Sequence, residues 1–233
     1  MVICIIIIAL GAICLTLFLL EKNRKYSNKA MLLKSATSLF FISLAAYSTI
    51  SNHGHPFSVY VLIGLALGML GDIYLDFKYI FPDHSRIYTY AGFTVFGVGH
   101  ILYVIGIMKN LYLTYEWYYI VLPLVLGTGC GLLNLVLEKP LKLKFGEYKW
   151  IVLLYGCLLF CTFFTSLFAS IQHQFNYATC NMLMIGGFFF ALSDLILSGT
   201  YFGEGKERPF DIVSNAVTYY AAQYLIAFSL FFI

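Results

Sequence analysis

Apolar residues run along this chain in long continuous blocks, interrupted by short polar stretches. Hydropathy marks eight such runs, at roughly 3–20, 31–50, 57–77, 87–108, 117–137, 150–171, 178–198 and 212–232, each near the 20 or so residues that a helix needs to cross a bilayer. A barrel strand would be shorter and would alternate apolar with polar positions, so the pattern predicts helices. The polar gaps are brief, the longest being about 12 residues from Glu138 to Lys149. No soluble domain fits between the runs. The expected architecture is all-α: a polytopic membrane bundle of eight transmembrane helices forming one domain over residues 1–233.

Composition strengthens this picture and narrows the function classes. Of 233 residues, 61% are hydrophobic and only 11% charged, against about 25% charged in an ordinary soluble domain. Too few charges remain to coat a globule in water, which excludes a soluble enzyme, a disordered tail and a nucleic-acid binder. The first run has no basic stretch before it, and a basic cluster (Lys22, Arg24, Lys25, Lys29) follows it. It therefore reads as a retained span, not a cleaved signal. The cysteines at 4, 14, 130, 157, 161 and 180 all fall within spans and read as small apolar packing residues.

Charge sets the expected topology. Alternating loops place Lys22, Arg24, Lys25, Lys29, Lys34, Lys78, Arg86, Lys139, Lys142, Lys144, Lys149, Lys206 and Arg208 on one side and only Lys109 on the other. Cytoplasmic loops carry the Lys/Arg excess. The first, third, fifth and seventh loops are thus expected inside and both termini outside, in the plasma (inner) membrane for a bacterial source.

Acids within spans are costly, about 2.5–3.5 kcal/mol at a helix centre on insertion scales. Asp76 and Asp211 lie at span ends, where water reaches them. Asp72 and Asp194 are deeper, roughly 6–8 Å inside the cytoplasmic ends of the third and seventh spans at 1.5 Å per residue. Gly64, Gly68, Asp72 and Asp76 form one helical stripe, and Gly187, Ala191, Asp194 and Ser198 a second. Small residues at this spacing let helices approach closely, so both acids are expected to face protein at one level. Aligning Asp72 on Asp194 also pairs Gly64 with Gly186, Gly71 with Ser193 and Leu75 with Leu197, a hint of a parallel four-plus-four repeat. Other polar residues share this half: Lys34 near the start of the second span, His100 and Tyr103 on the fourth, and Asn215, Tyr219 and Gln223 in a stripe on the eighth. No ligand spacing argues for a metal.

Gly71-Asp72-x-x-Leu75, Gly99-His100-x-x-Tyr103, Ser193-Asp194-x-x-Leu197 and the closing Tyr219-Tyr220-x-Ala222-Gln223-x-Leu225-Ile226 resemble the YhhN family of eight-helix membrane proteins, the lysoplasmalogenase family. The motifs stand in order and cover nearly the whole chain. Lys34 matches a family lysine that is commonly followed by proline, whereas Ser35 stands here. The resemblance implies hydrolysis of the vinyl ether bond of lysoplasmalogens, giving a fatty aldehyde and glycerophosphoethanolamine or glycerophosphocholine. It implies a membrane-lipid substrate and no metal or organic cofactor.

That chemistry suits two carboxyls. Protonation of the vinyl ether's β-carbon gives an oxocarbenium ion, to which water adds. The demand resembles glycoside hydrolysis, one carboxylic acid beside one carboxylate. Neighbouring carboxyls in a low dielectric cannot both ionise easily, so Asp72 and Asp194 divide the two roles, in an order the residues leave open. His100 and Tyr103 are expected near the alkenyl chain or a water, Asn215 and Gln223 near water or the glycerol, and Ser193 and Tyr219 in support. Lys34, with Lys78 or Arg86, is expected at the phosphate. Buried Asp pairs also serve proton-coupled lipid or small-molecule transporters, and a non-enzymatic lipid-binding bundle is the other alternative.

Overall fold

The computed structural model describes residues 1–22, 27–203 and 208–233. Arg24, Lys25 and Lys206, which entered the charge argument, lie outside the described residues. Eight α-helices follow one another: α1 (Val2–Lys22), α2 (Asn28–Ser51), α3 (Phe57–Ile80), α4 (Ser85–Leu111), α5 (Trp117–Leu137), α6 (Lys149–Gln172), α7 (Ala178–Phe202) and α8 (Pro209–Ser229). Helices satisfy their own backbone groups, which is why apolar runs with no water nearby take this form. Start signals are local: the Ser27 hydroxyl accepts from the Ala30 amide ahead of α2, and Pro209 opens α8 with Asp211 in its first turn.

Among the described residues, α1 to α7 are long and apolar enough to cross a membrane, and the whole is a helical membrane bundle. The expected eighth span folds as α8, but its polar stripe (Asn215, Thr218, Tyr219, Gln223) lowers its hydropathy below that of the others. The helices also overrun their apolar runs. α3 continues to Ile80 and α7 to Phe202, so Asp72 and Asp194 each lie eight residues before a helix end (80 − 72 and 202 − 194). That is roughly 12 Å along the axis, deeper than the 6–8 Å expected but still level.

Consecutive helices pack as antiparallel pairs, α1 with α2, α3 with α4, α5 with α6 and α7 with α8. Contacts α2–α3, α6–α7, α4–α6 and α2–α8 join the pairs. Small residues set the closest approaches, as expected for helices associating without a hydrophobic drive. The Gly99 face of α4 meets the Gly64 carbonyl of α3, and Gly71 seats the Phe96 ring. The cysteines at 157 and 161 behave as packing residues: on the α5–α6 seam a Cβ at Gly127 would come 2.5 Å from the Cys161 backbone nitrogen, and one at Gly131 2.5 Å from the Cys157 sulfur. Gly129, between them in sequence, faces open space. Gly127→Leu should therefore lower thermal stability by about 1–3 kcal/mol, the usual cost of overpacking, whereas Gly129→Leu should not. Thermal unfolding of the two variants in detergent checks this contrast.

Candidate active site

Asp72 projects from α3 toward Lys34 of α2. The Lys34 ammonium lies 3.0 Å from Asp72 Oδ1 and 3.1 Å from Asp76 Oδ1, with side-chain exposures of 13%, 9% and 5% for Lys34, Asp72 and Asp76. Asp76 was expected to be solvated. It is instead buried, because α3 runs another turn past it and α2 covers that face. Lys34 is held in place by α8, whose Tyr220 hydroxyl donates to the Lys34 carbonyl at 3.1 Å and sits 3.4 Å from Ser38 Oγ. Asp72 Oδ2 is buried and accepts no hydrogen bond among the described residues.

Asp194 has a different setting. Its Oδ2 accepts a hydrogen bond from the Tyr155 hydroxyl of α6, and among the described residues no lysine or arginine lies within ion-pair distance of it. Both aspartates line one cavity of about 610 Å³, mouth included, together with Lys34, Lys22, Asn215 and Tyr219. A second cavity of about 510 Å³, again with its mouth included, lies between α6 and α7, edged by Asn134 of α5 and Phe93 of α4, and is walled mainly by apolar side chains. Phe93, Tyr155, Asp194, Leu197 and Tyr201 belong to both walls. Asp194 and Tyr155 thus stand on the partition between a polar and an apolar space.

Several residues singled out in the sequence take structural posts. Asn215 Nδ2 donates to the Ser193 carbonyl at 2.8 Å and to Ser193 Oγ at 2.9 Å, while Ser193 Oγ donates to the Asn215 carbonyl. The pair staples α7 to α8 beside Asp194, and both residues stand in the wall of the polar cavity. His100 Nδ1 lies 3.1 Å from Thr162 Oγ1, pinning α4 to α6. Its ring abuts Phe190 and Tyr155, with centroids 4.9 and 5.6 Å apart. His100 reaches the site through the Tyr155 ring and forms no part of either cavity wall.

Tyr219 stands in the wall near Asp72. Gln223 and Tyr103 lie farther along the glycine face of α3, against Gly68 and Gly64 respectively, outside that wall. Of Lys34, Lys78 and Arg86, Lys34 lines the polar cavity and the other two do not. Arg86 pairs with Glu147 at 3.0 Å on the surface, and Lys78 lies over the Tyr201 ring at 3.4 Å. Among the described residues, Lys22 of α1 is the cation that shares the cavity with Lys34.

Tyr155 escaped the sequence reading because it is one of 19 tyrosines, and no spacing ties α6 to Asp194. The depth it shares with Asp194 was the one available signal.

The loop after α5 closes the apolar cavity by inserting the buried Phe145. Glu138 holds that loop, accepting from Lys149 Nζ at 3.0 Å and from the Phe145 amide at 3.2 Å. The Lys149 hydrogen bond, reinforced by the Phe145 amide, holds the Glu138 carboxyl below the usual carboxylate range. A carboxyl depressed in the fold contributes stability above its unfolded value and loses it as pH falls through the folded one. The loop should therefore loosen in acid and stay closed at neutral pH. Hydrogen exchange over residues 139–148, corrected for intrinsic rates, should show this, with Glu138→Gln giving the loosened level already at neutral pH.

A helical membrane bundle with an acidic site on the wall of a polar cavity defines the class. Residues 29–230 match the YhhN family, and the chain belongs to that family. A search of curated proteins returns no match, nor does one of solved structures.

Proposed function

We propose that the chain is a membrane hydrolase of the lysoplasmalogenase type, cleaving a vinyl ether with Asp194 as acid and Asp72 as its ionised partner. The observation that carries this reading is the unlike setting of two carboxyls on one cavity. Lys34 supplies a cation to Asp72 at 3.0 Å, which favours its charged form. Asp194 has a neutral hydroxyl on Oδ2, leaving Oδ1 to carry a proton. Family membership supports a hydrolase of this kind.

The steps follow from the chemistry. Asp194 gives its proton to the vinyl ether's β-carbon, and the positive charge settles on the ether carbon and oxygen. Asp72 stabilises that cation and takes a proton from the water that adds to it. Asp72 then gives that proton to the glycerol oxygen as the hemiacetal carbon–oxygen bond breaks, the hemiacetal hydroxyl passes its own proton to Asp194, and a fatty aldehyde and a glycerol hydroxyl leave with both carboxyls back in their starting states. Water is the only co-reactant. Lys22 and Lys34 sit on the polar side, where an anionic head would lie.

In this reading all eight helices span, the basic loops face the cytoplasm and both termini lie outside. Trp117 and Trp150, 70% and 74% exposed, begin antiparallel neighbours and so suit the two opposite interfaces. The packing scheme supports a four-plus-four repeat. Adding four to each helix number, and counting past eight from one again, turns α1–α2, α2–α3, α3–α4 and α4–α6 into α5–α6, α6–α7, α7–α8 and α8–α2, all of which pack together.

Heavy water tests the proton step. Turnover of a lysoplasmalogen in D₂O by the purified protein, with the aldehyde trapped as it forms, should place a single deuterium on the carbon next to the carbonyl. Unlabelled aldehyde would overturn carbon protonation.

A further inference from the structure

We infer that the cleft between α6 and α7 seats one hydrocarbon chain, entered sideways from the bilayer, and that Ser198 and Leu195 govern which chains it takes. This inference rests on the proposed cleavage of an amphiphile at Asp194. The cleft offers Val152, Leu159 and Phe160 from α6 and Leu195 from α7 as an apolar lining. Its α7 wall runs from Ala191 to Phe202, roughly 16 Å at 1.5 Å per residue. Most of the wall comes from α6 and α7, with Asn134 the one residue of α5 among the described residues that line it. α5 has its packing partner in α6, whereas its contacts with α7 are few. Leu195, in the wall, is 48% exposed. The cleft therefore opens on the lipid-facing side of the bundle.

The occupant follows from continuity with the polar cavity. An amphiphile whose head lies beside Lys22 and Lys34 must cross the partition at Asp194 and Tyr155, and the space beyond is apolar. A chain leaving the bilayer for such a wall exchanges one hydrocarbon surrounding for another, so the cleft contributes little affinity. What it supplies is register, holding the bond next to the chain against Asp194. A bulkier residue in the cleft should then exclude long chains by contact while sparing short ones.

Ser198→Phe fills the cleft one helical turn from Asp194 and Leu195→Trp narrows its mouth; neither native side chain takes part in the Lys34–Asp72 ion pair or the Tyr155–Asp194 hydrogen bond. The protein in nanodiscs would be given vinyl ether lysophospholipids with chains from octyl to octadecyl. Binding of the uncleavable alkyl ether analogues would be followed in parallel. Each variant should lower kcat/KM for octadecyl chains by about tenfold and change that for octyl chains by less than about twofold, with the binding series following the same order. An unchanged ratio of long to short chains in both variants would overturn the inference. Should the wild type cleave no vinyl ether but bind long alkyl analogues in a way that both variants lose, the cleft stands and the hydrolase reading falls. Should binding be indifferent to chain length and to both variants, the cleft falls. If Ser198→Phe does not fold, Leu195→Trp at the exposed mouth decides alone.

Discussion

Asp194→Asn is expected to cut aldehyde release by about a hundredfold or more, the range that a positioned general acid contributes, while leaving a folded bundle. The amide matches the carboxyl in shape and still accepts from the Tyr155 hydroxyl, so the α6–α7 contact survives. What it lacks is a proton acidic enough to transfer to carbon. Product quantification with purified protein, beside thermal unfolding of the same sample, separates lost chemistry from lost fold. Tyr155→Phe should be milder, about tenfold, because the acid then loses its orientation and keeps its proton. Near-wild-type turnover by the asparagine variant would remove Asp194 from the chemistry.

The second large effect is on stability. Lys34→Met should destabilise the protein by about 3–5 kcal/mol, the usual cost of removing one partner from a buried ion pair. Two carboxylates share this one ammonium, at 3.0 and 3.1 Å, and without it both are left in a site that water barely reaches. Asp76→Asn added to Lys34→Met should recover part of the loss, since one of the two unpaired charges is gone. The double-mutant cycle reads the coupling directly. A lysine that served only to hold a lipid phosphate would behave differently: its loss would weaken substrate binding and leave the unfolding temperature unchanged.

Much of the framework is legible in the sequence alone. Hydrophobic runs located the helices to within about a turn, and the cost of intramembrane charge pointed to Asp72 and Asp194. Glycine spacing also indicated correctly that the faces bearing those acids meet protein. The misreadings have a common origin. Helical periodicity tells which residues share a face but not which helix that face meets. Asp76 read as a solvated end residue because neither the α2 cover nor the extra turn of α3 is written in local pattern. Ser193 and Asn215 hydrogen-bond each other across α7 and α8, a pairing that periodicity on either helix alone does not reveal. Lys78 and Arg86 match Lys34 in charge and in side of the membrane, but α3 and α4 turn them toward Tyr201 and Glu147. Tyr155 needed the tertiary fold outright, because only the packing of α6 on α7 makes one tyrosine the partner of Asp194.

The most direct test of the account is mass spectrometry of the products formed from matched lysophospholipids with vinyl ether, alkyl ether and acyl linkages at the same position. A fatty aldehyde and the free glycerophospho-alcohol should form from the vinyl ether alone, because only that bond yields an oxocarbenium ion on protonation at carbon. Fatty acid release from the acyl lipid alone, or movement of lipid across a liposome membrane with no aldehyde formed, would contradict it.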